Sequence, residues 1–136
     1  MSKPSANPKD IAGSKKASMD IPAIAIAHEG CAILDGELKY GYRNWRDTPI
    51  TCRRYIDAMK RHIALWEEGQ EYAKDSGIHH LGHLRATAAI LLDAQANGTL
   101  IDDRSKHSEV FETEFEKIHN WTEARRKKHA EQQSGK

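Results

Sequence analysis

Three of the chain's eight histidines fall in one short stretch, Asp75-Ser76-Gly77-Ile78-His79-His80-Leu81-Gly82-His83. On a helix, His80 and His83 stand three apart and project from one face, with Asp75 about one turn further back. Imidazoles and a carboxylate converging on one spot suit a divalent cation or acid–base chemistry. The plainer alternative is a pair of surface or satisfied core histidines, since a spacing of three is common by chance. The company of Asp75, His79 and Thr87 favours chemistry. His79 and His83 have the spacing of the helical zinc-protease motif, but that motif needs Glu after its first histidine and His80 stands there. No His-Asp dipeptide occurs, which argues against a phosphohydrolase built on that dyad.

Other acids and cations extend the list. Glu29 is the only acidic residue between Asp20 and Asp35, among mostly apolar neighbours. A buried carboxylate needs a pair or a metal, so Glu29 is a candidate, with an exposed stripe beside Gly36 as the alternative. Glu67, Glu68 and Glu71 cluster at a helix end, either as a cation site or as a solvated acidic cap. The stretch Lys39-Tyr40-Gly41-Tyr42-Arg43-Asn44-Trp45-Arg46 mixes cations, aromatics and an amide. Cations can neutralise phosphate, Tyr or Trp can stack on a base, and Asn can read a base edge. It reads equally as a polar loop with an aromatic anchor. Arg54 and Arg61 are seven apart and share a helix face, which is either solvated or a phosphate clamp.

The elements that must position these groups are helical. Residues 1–18 are polar, rich in Lys, Ser and Pro, and are expected to be disordered in isolation. The run Ile21–Leu38 is apolar and reads as a buried helix with Asp20 as N-cap and Pro22 in its first turn. A second helix is expected from Thr51 to about Glu68, on the repeat of Cys52, Tyr55, Ile56, Met59, Ile63 and Trp66, with Gly69 ending it. A third starts near Asp75 or Ser76 and runs to about Asn97, with an apolar stripe of Ile78, Leu81, Leu84, Ala88, Leu91 and Leu92. A fourth spans Glu109 to Ala130, weakly apolar along Val110, Phe111, Phe115, Ile118 and Trp121. No convincing strand is found. The class is therefore all-α, a bundle of three main helices (19–104) plus a C-terminal helix and basic tail (105–136). So thin a core predicts self-association.

Bulk properties exclude some functions. Twenty-one basic and 20 acidic side chains leave a formal charge of +1, so no whole-protein field attracts nucleic acid. No apolar run is long enough to span a membrane, and the N-terminus lacks the apolar core of a secretory signal. Two cysteines, Cys31 and Cys52, fit free thiols in a reducing cytoplasm. Gly13-Ser14-Lys15 is not a phosphate-binding loop, because the upstream glycine spacing, strand and helix are missing.

The motifs fall in a characteristic order: NPKD…GSKK, an apolar helix holding His28-Glu29, G-x-x-KYG-x-x-NWR, RH-x-x-x-W-x-x-G, DSG-x-x-HLGH and IDDR. Across residues 7–104 this resembles the bacteriophage dATP/dGTP diphosphohydrolases of MazZ type, relatives of the MazG-like all-α nucleotide pyrophosphohydrolases. The resemblance implies hydrolysis of a purine deoxynucleoside triphosphate to monophosphate and pyrophosphate, assisted by Mg²⁺ or Mn²⁺, in a dimer or tetramer. It also implies a supply of dGMP for phage DNA containing 2-aminoadenine. MazG-like enzymes usually hold metal with Glu-Glu-x-x-Glu on one helix and Glu-x-x-Asp on the next. Glu67-Glu68-Gly69-Gln70-Glu71 matches the first pattern with Gly69 interrupting it, and Asp75 with His80-x-x-His83 replaces the second.

With that resemblance, the expected metal ligands are Glu29, Glu68, Glu71, Asp75, His80 and His83, all but Glu68 also counted as catalytic. Lys39, Arg54 and Arg61 would neutralise phosphate, and Trp45 or Tyr40 would stack on the purine, with Asn44 beside them. Asp10 would accept from the guanine N1 and N2 donors. Lys9 and, near phosphate, Lys15 and Lys16 complete the substrate-binding set. Asp102 and Asp103 read either as a further metal ligand or as caps of the C-terminal helix. Two rivals remain: a nucleic-acid-binding helical module using Arg125-Arg126-Lys127-Lys128 and the loop, and a bundle held by structural zinc.

Overall fold

The computed structural model describes residue 3 and residues 5–135. Positions 1, 2 and 4 of the expected flexible segment, and Lys136, lie outside them. The elements are α1 (Pro8–Ser14), α2 (Ala23–Tyr40), α3 (Asn44–Asp47), β1 (Ile50–Thr51), α4 (Cys52–Glu67), α5 (His80–Ala96), β2 (Leu100–Ile101) and α6 (Glu109–Ser134). The all-α class holds. The segment expected to be disordered in isolation carries α1, capped by the Asn7 side chain on the Lys9 amide at 2.9 Å, with Pro8 in the first turn. Every residue of α1 is exposed.

Two compact units divide the chain, Met1–Asp103 and Arg104–Lys136. In the first, α5 is the centre and packs against both α2 and α4. This corrects the reading of Ile21–Leu38 as the buried helix. α2 has no buried residue, and Ile24, Ile26, Leu34 and Leu38 are exposed. Its apolar composition exceeds what α5 alone can cover. The buried face of α5 is made instead of His80, Gly82, Ala86 and Ala94. Gly82 allows the closest approach, because a Cβ there would lie 2.6 Å from the His28 backbone oxygen. The core is thin: its buried apolar residues are Ile50, Cys52, Ala73, Ala86 and Ala94. Cys31 and Cys52 are free thiols, as expected.

Three helix starts differ from expectation. α2 is capped by Pro22, not Asp20, and begins two residues later; the extended backbone of Pro22 (ψ 129°) admits no earlier turn. α5 begins at His80 rather than near Asp75, because Tyr72–His79 forms a tight reversal. Tyr72 bridges His79, Ala73 N–H donates to the Ile78 carbonyl at 2.9 Å, and Gly77 takes φ +72°. His79 is the cap, its Nδ1 accepting from the Leu81 amide at 3.0 Å. Asp75 is therefore on the reversal, not on the helix of His80 and His83. The third difference lies after Gly41, where α3 opens from Arg43 in the left-handed region (φ 47°).

A parallel pair of two-residue strands, Ile50 opposite Leu100 and Thr51 opposite Ile101, ties the start of α4 to the end of α5. Two residues are too few to leave a periodic signal in sequence. Asp103 Oδ1 accepts from the Arg53 amide at 2.8 Å, so it caps α4 rather than the C-terminal helix. That helix, α6, is capped by Ser108 and runs to Ser134, beyond the expected Ala130. Val110, Phe111, Phe115, Ile118 and Trp121 on it are all exposed.

Candidate functional site: a histidine cluster between two helices

Where α4 meets α5, three imidazoles come together. His62 and His80 face each other through Nδ1 at 2.8 Å. The His62 ring also lies flat against that of His83, centroids 4.5 Å apart and 11° between planes. His80 is 1 % exposed and is the largest fully buried side chain among the described residues. Its Nε2 bonds Gln70 Oε1 at 2.7 Å. His83 Nε2 bonds the Ser76 hydroxyl at 2.8 Å, which ties the reversal to α5. Both nitrogens of the buried ring are thus satisfied, as burial of a polar group requires.

A cleft of about 570 Å³ opens on this cluster, lined by Arg61, His62, Leu65, Gln70, Ala73, Lys74, Asp75 and His80. Its walls carry two cations, two imidazoles and a carboxylate. Burial, then repulsion from His83 and His80, push the His62 pKa down to about 4, against a partial lift by Asp75. Burial also lowers His83, opposed by Asp75 and Asp35. Both shifts favour the neutral ring over the imidazolium. Asp35 and Lys39, on α2, act on His83 through space. Lys39 itself is paired with Asp35 at 2.9 Å.

The second face of α5, toward α2, carries a different cleft of about 330 Å³, whose walls include Glu29, Tyr42, Arg43, Trp45 and Asp93. Glu29 is neither lone nor free: Arg85 donates to it at 3.1 Å. The Arg85 Nε is buried without a partner. Trp45 donates its indole N–H to Asp93 at 2.6 Å, and Arg46 grips the same carboxylate at 2.8 and 2.7 Å. Those bonds hold the Asp93 carboxyl well below the usual range, Arg46 first and Trp45 second. They pin α3 to α5.

The expected residues are thus distributed. Arg61, Asp75 and His80 share the larger cleft, and His83 stands behind His62. Glu29 and Trp45 belong to the smaller one. Glu71 is off the helix, bonded by Trp66 Nε1 at 3.2 Å and His79 Nε2 at 3.2 Å. Gly69 (φ +100°) separates it from Glu68, the C-cap of α4. Tyr40 ends α2, and Asn44 opens α3. Arg54, Lys9, Asp10, Lys15 and Lys16 are exposed. The residues missed were His62, Gln70 and Lys74. The signal for His62 was available in Arg61-His62, eighteen positions before His80, but nothing local distinguishes it from a surface histidine.

The six expected metal ligands do not fit a shared cation in this arrangement. Among the described residues no group of three or more His, Cys, Asp or Glu side chains is placed to hold one. The donor chemistry gives the reason. Both nitrogens of His80 are engaged, Glu29 is paired with Arg85, and Glu71 is held by Trp66 Nε1 and His79 Nε2.

A family model described as dATP/dGTP diphosphohydrolase, N-terminal, matches residues 6–104. A protein of Salmonella phage PMBT28 named dATP/dGTP diphosphohydrolase is 33 % identical over 69 residues, which are 51 % of this chain and 23 % of that protein. The match thus spans about a quarter of the relative. No solved structure matches the chain. The family match ends within a residue of the boundary of the first compact unit and takes in α1 to β2, both clefts included. The chain therefore belongs to the dATP/dGTP diphosphohydrolase family, through the N-terminal region that defines it.

Proposed function

We propose that this protein hydrolyses dGTP and dATP to the deoxynucleoside monophosphate and pyrophosphate. The observation that carries the reading is the family match over the whole unit that bears the histidine cleft. The larger cleft is the proposed triphosphate site. It combines Arg61 and Lys74 with the imidazoles of His62 and His80, and clustered donors of this kind stabilise charge that grows on phosphate oxygens in the transition state. Lys39, which acts through space on Asp75 and His83, and the exposed Arg54 are the further proposed phosphate-neutralising cations. Tyr40 rather than Trp45 is the proposed stacking ring, since Trp45 is held by Asp93 and Tyr40 is 71 % exposed. Asn44 accompanies it. Asp10 is the proposed reader of guanine, with Lys9, Lys15 and Lys16 on the same exposed segment.

The reaction is proposed to need Mg²⁺ or Mn²⁺, carried in on the triphosphate, because the chain's own carboxylates do not converge. The product dGMP would feed synthesis of 2-aminoadenine DNA in a phage-infected cell. The functional form is proposed to be a homo-oligomer, since α2 exposes Ile24, Ile26, Leu34 and Leu38.

The test is a product assay with each of the four deoxynucleoside triphosphates and Mg²⁺ or Mn²⁺, resolved by chromatography. Monophosphate and pyrophosphate from the two purines support the reading. Failure to turn over any of the four, or release of nucleoside and intact triphosphate, overturns it.

A further inference from the structure

The long helix α6 carries an apolar face that stays in water. Val110, Phe111, Phe115, Ile118 and Trp121 are exposed, and no residue of the helix is buried. At helical spacing these five and Thr122 share one arc of about 140°. Phe111 and Phe115 meet edge to face, ring centroids 5.4 Å apart. A contiguous stripe of large apolar side chains marks a surface that binds another.

The charges on α6 select the partner. Residues 109–118 hold four glutamates and one lysine, whereas 119–134 hold four cations and two glutamates. The helix dipole favours acids in the first turn and cations in the last, but it reaches no further than that turn. Glu114 and Glu116 lie beyond the first turn. Arg125, Arg126, Lys127 and Lys128 all precede the last, which holds no basic residue. None of those four cations has an ion pair among the described residues. A helix acidic at one end and basic at the other is complementary to a reversed copy of itself. Laid parallel, it would set acids against acids and cations against cations.

We propose that α6 pairs with α6 of a second copy of this chain, antiparallel and centred on Asn120. The proposal does not depend on the diphosphohydrolase reading, and it adds a contact separate from the α2 face. The seam is Phe111, Phe115, Ile118, Thr122, Arg125 and His129, spaced alternately four and three as in a coiled coil. About Asn120, Ile118 meets the second copy's Thr122, Phe115 its Arg125 and Phe111 its His129. An arginine can cover a ring with its stem and guanidinium. The residues flanking the seam then match in charge: Glu112 faces the second copy's Arg126 and Glu114 its Lys128, each twice by symmetry. Within one chain the ion pairs of these two acids are weaker claims on them, Glu112 with His107 at 3.8 Å and Glu114 with Lys117 at 3.3 Å, all four groups exposed. Thr122, Arg125 and His129 make half of the seam polar, so the pair is weak and forms at high protein concentration.

The test is pulsed dipolar EPR on the full chain at such concentration. Thr113, Asn120 and Lys127 are exposed and share the column of α6 opposite the seam. Cysteine at each in turn, in a Cys31→Ser background, carries one spin label; Cys52 is buried. Antiparallel pairing gives the shortest label-to-label distance at 120. At 113 and 127 it gives two longer, equal distances, the labels being offset along the axis by about 21 Å. Glu112→Lys with Glu114→Lys should weaken the pairing about tenfold. Adding Arg126→Glu with Lys128→Glu should restore it, because residues fourteen apart on one straight helix cannot reach each other within a chain. Equal distances at all three sites, no coupling at any of them, or no rescue by the fourfold swap overturns the proposal. Absent coupling together with DNA binding that is lost in Arg126→Glu, Lys128→Glu would assign the basic end to nucleic acid instead.

Discussion

His62 shows how burial turns a common side chain into a tuned one. Its ring titrates near 4 in the fold against 6.5 for a free imidazole, chiefly because burial disfavours the cation. The unfolded chain therefore binds more protons than the folded one between those values. Stability contributed by the neutral ring is intact above about pH 6.5 and is lost as pH falls toward 4. His83, lowered for the same leading reason, acts in the same direction. Thermal unfolding followed at pH 7.5, 5.5 and 4.5 should show a falling midpoint, with a shallower fall in His62→Asn. At Asp93 it is the charged form that the fold favours, and this too is lost as pH falls. Its carboxylate is kept charged by Arg46 and Trp45, so Asp93→Ala should free the indole and shift Trp fluorescence to longer wavelength, with α3 loosened from α5. That His80 and His83 stand together on one helix was legible from residue type and spacing alone. The role of His62 was not, because its partners lie eighteen and twenty-one positions away and only the α4–α5 packing joins them.

Among the elements, glycine position decides what packs. Gly82→Ala would drive a methyl to within 2.6 Å of the His28 carbonyl oxygen on α2, where backbone cannot give way. Overpacking of that kind costs about 1–3 kcal/mol, measurable by urea unfolding. Gly36→Ala on α2 meets nothing within 4 Å and should instead raise stability by up to about 1 kcal/mol, since alanine is the better helix former. The pair separates close approach from propensity on the same two helices. The four long helices and the approximate spans of α2 and α4 could be read from periodicity, as could Gly69 as a terminator, whereas the short α1 and α3 could not. The start of α5 could not. The Asp75–Ile78 stretch has helix-compatible residues, but Gly77 in the left-handed region and the Tyr72–His79 bridge favour a reversal, and those are tertiary choices. The same reversal aims Asp75 into the cleft, so the error in the helix start was also an error about how Asp75 reaches the histidines.

For the molecule as a whole, apolar surface exceeds what one chain covers. α5 partly covers one side of α2, and the large aliphatic residues Ile24, Ile26, Leu34 and Leu38 stay open to solvent. Light scattering should therefore find a dimer or tetramer, and Leu34→Lys with Leu38→Lys should shift the population to monomer. A chain ending at Asp103 keeps the compact unit that holds α2, α4 and α5, and should retain a cooperative thermal transition by circular dichroism. No helix among the described residues is long and apolar enough to cross a membrane. The central claim is that water attacks the α-phosphorus of a purine deoxynucleoside triphosphate in the histidine cleft. Hydrolysis of dGTP in water enriched in oxygen-18, with products weighed by mass spectrometry, tests it most directly. The account predicts one heavy oxygen in dGMP and none in pyrophosphate. A label in pyrophosphate, or release of dGDP and orthophosphate, would contradict it.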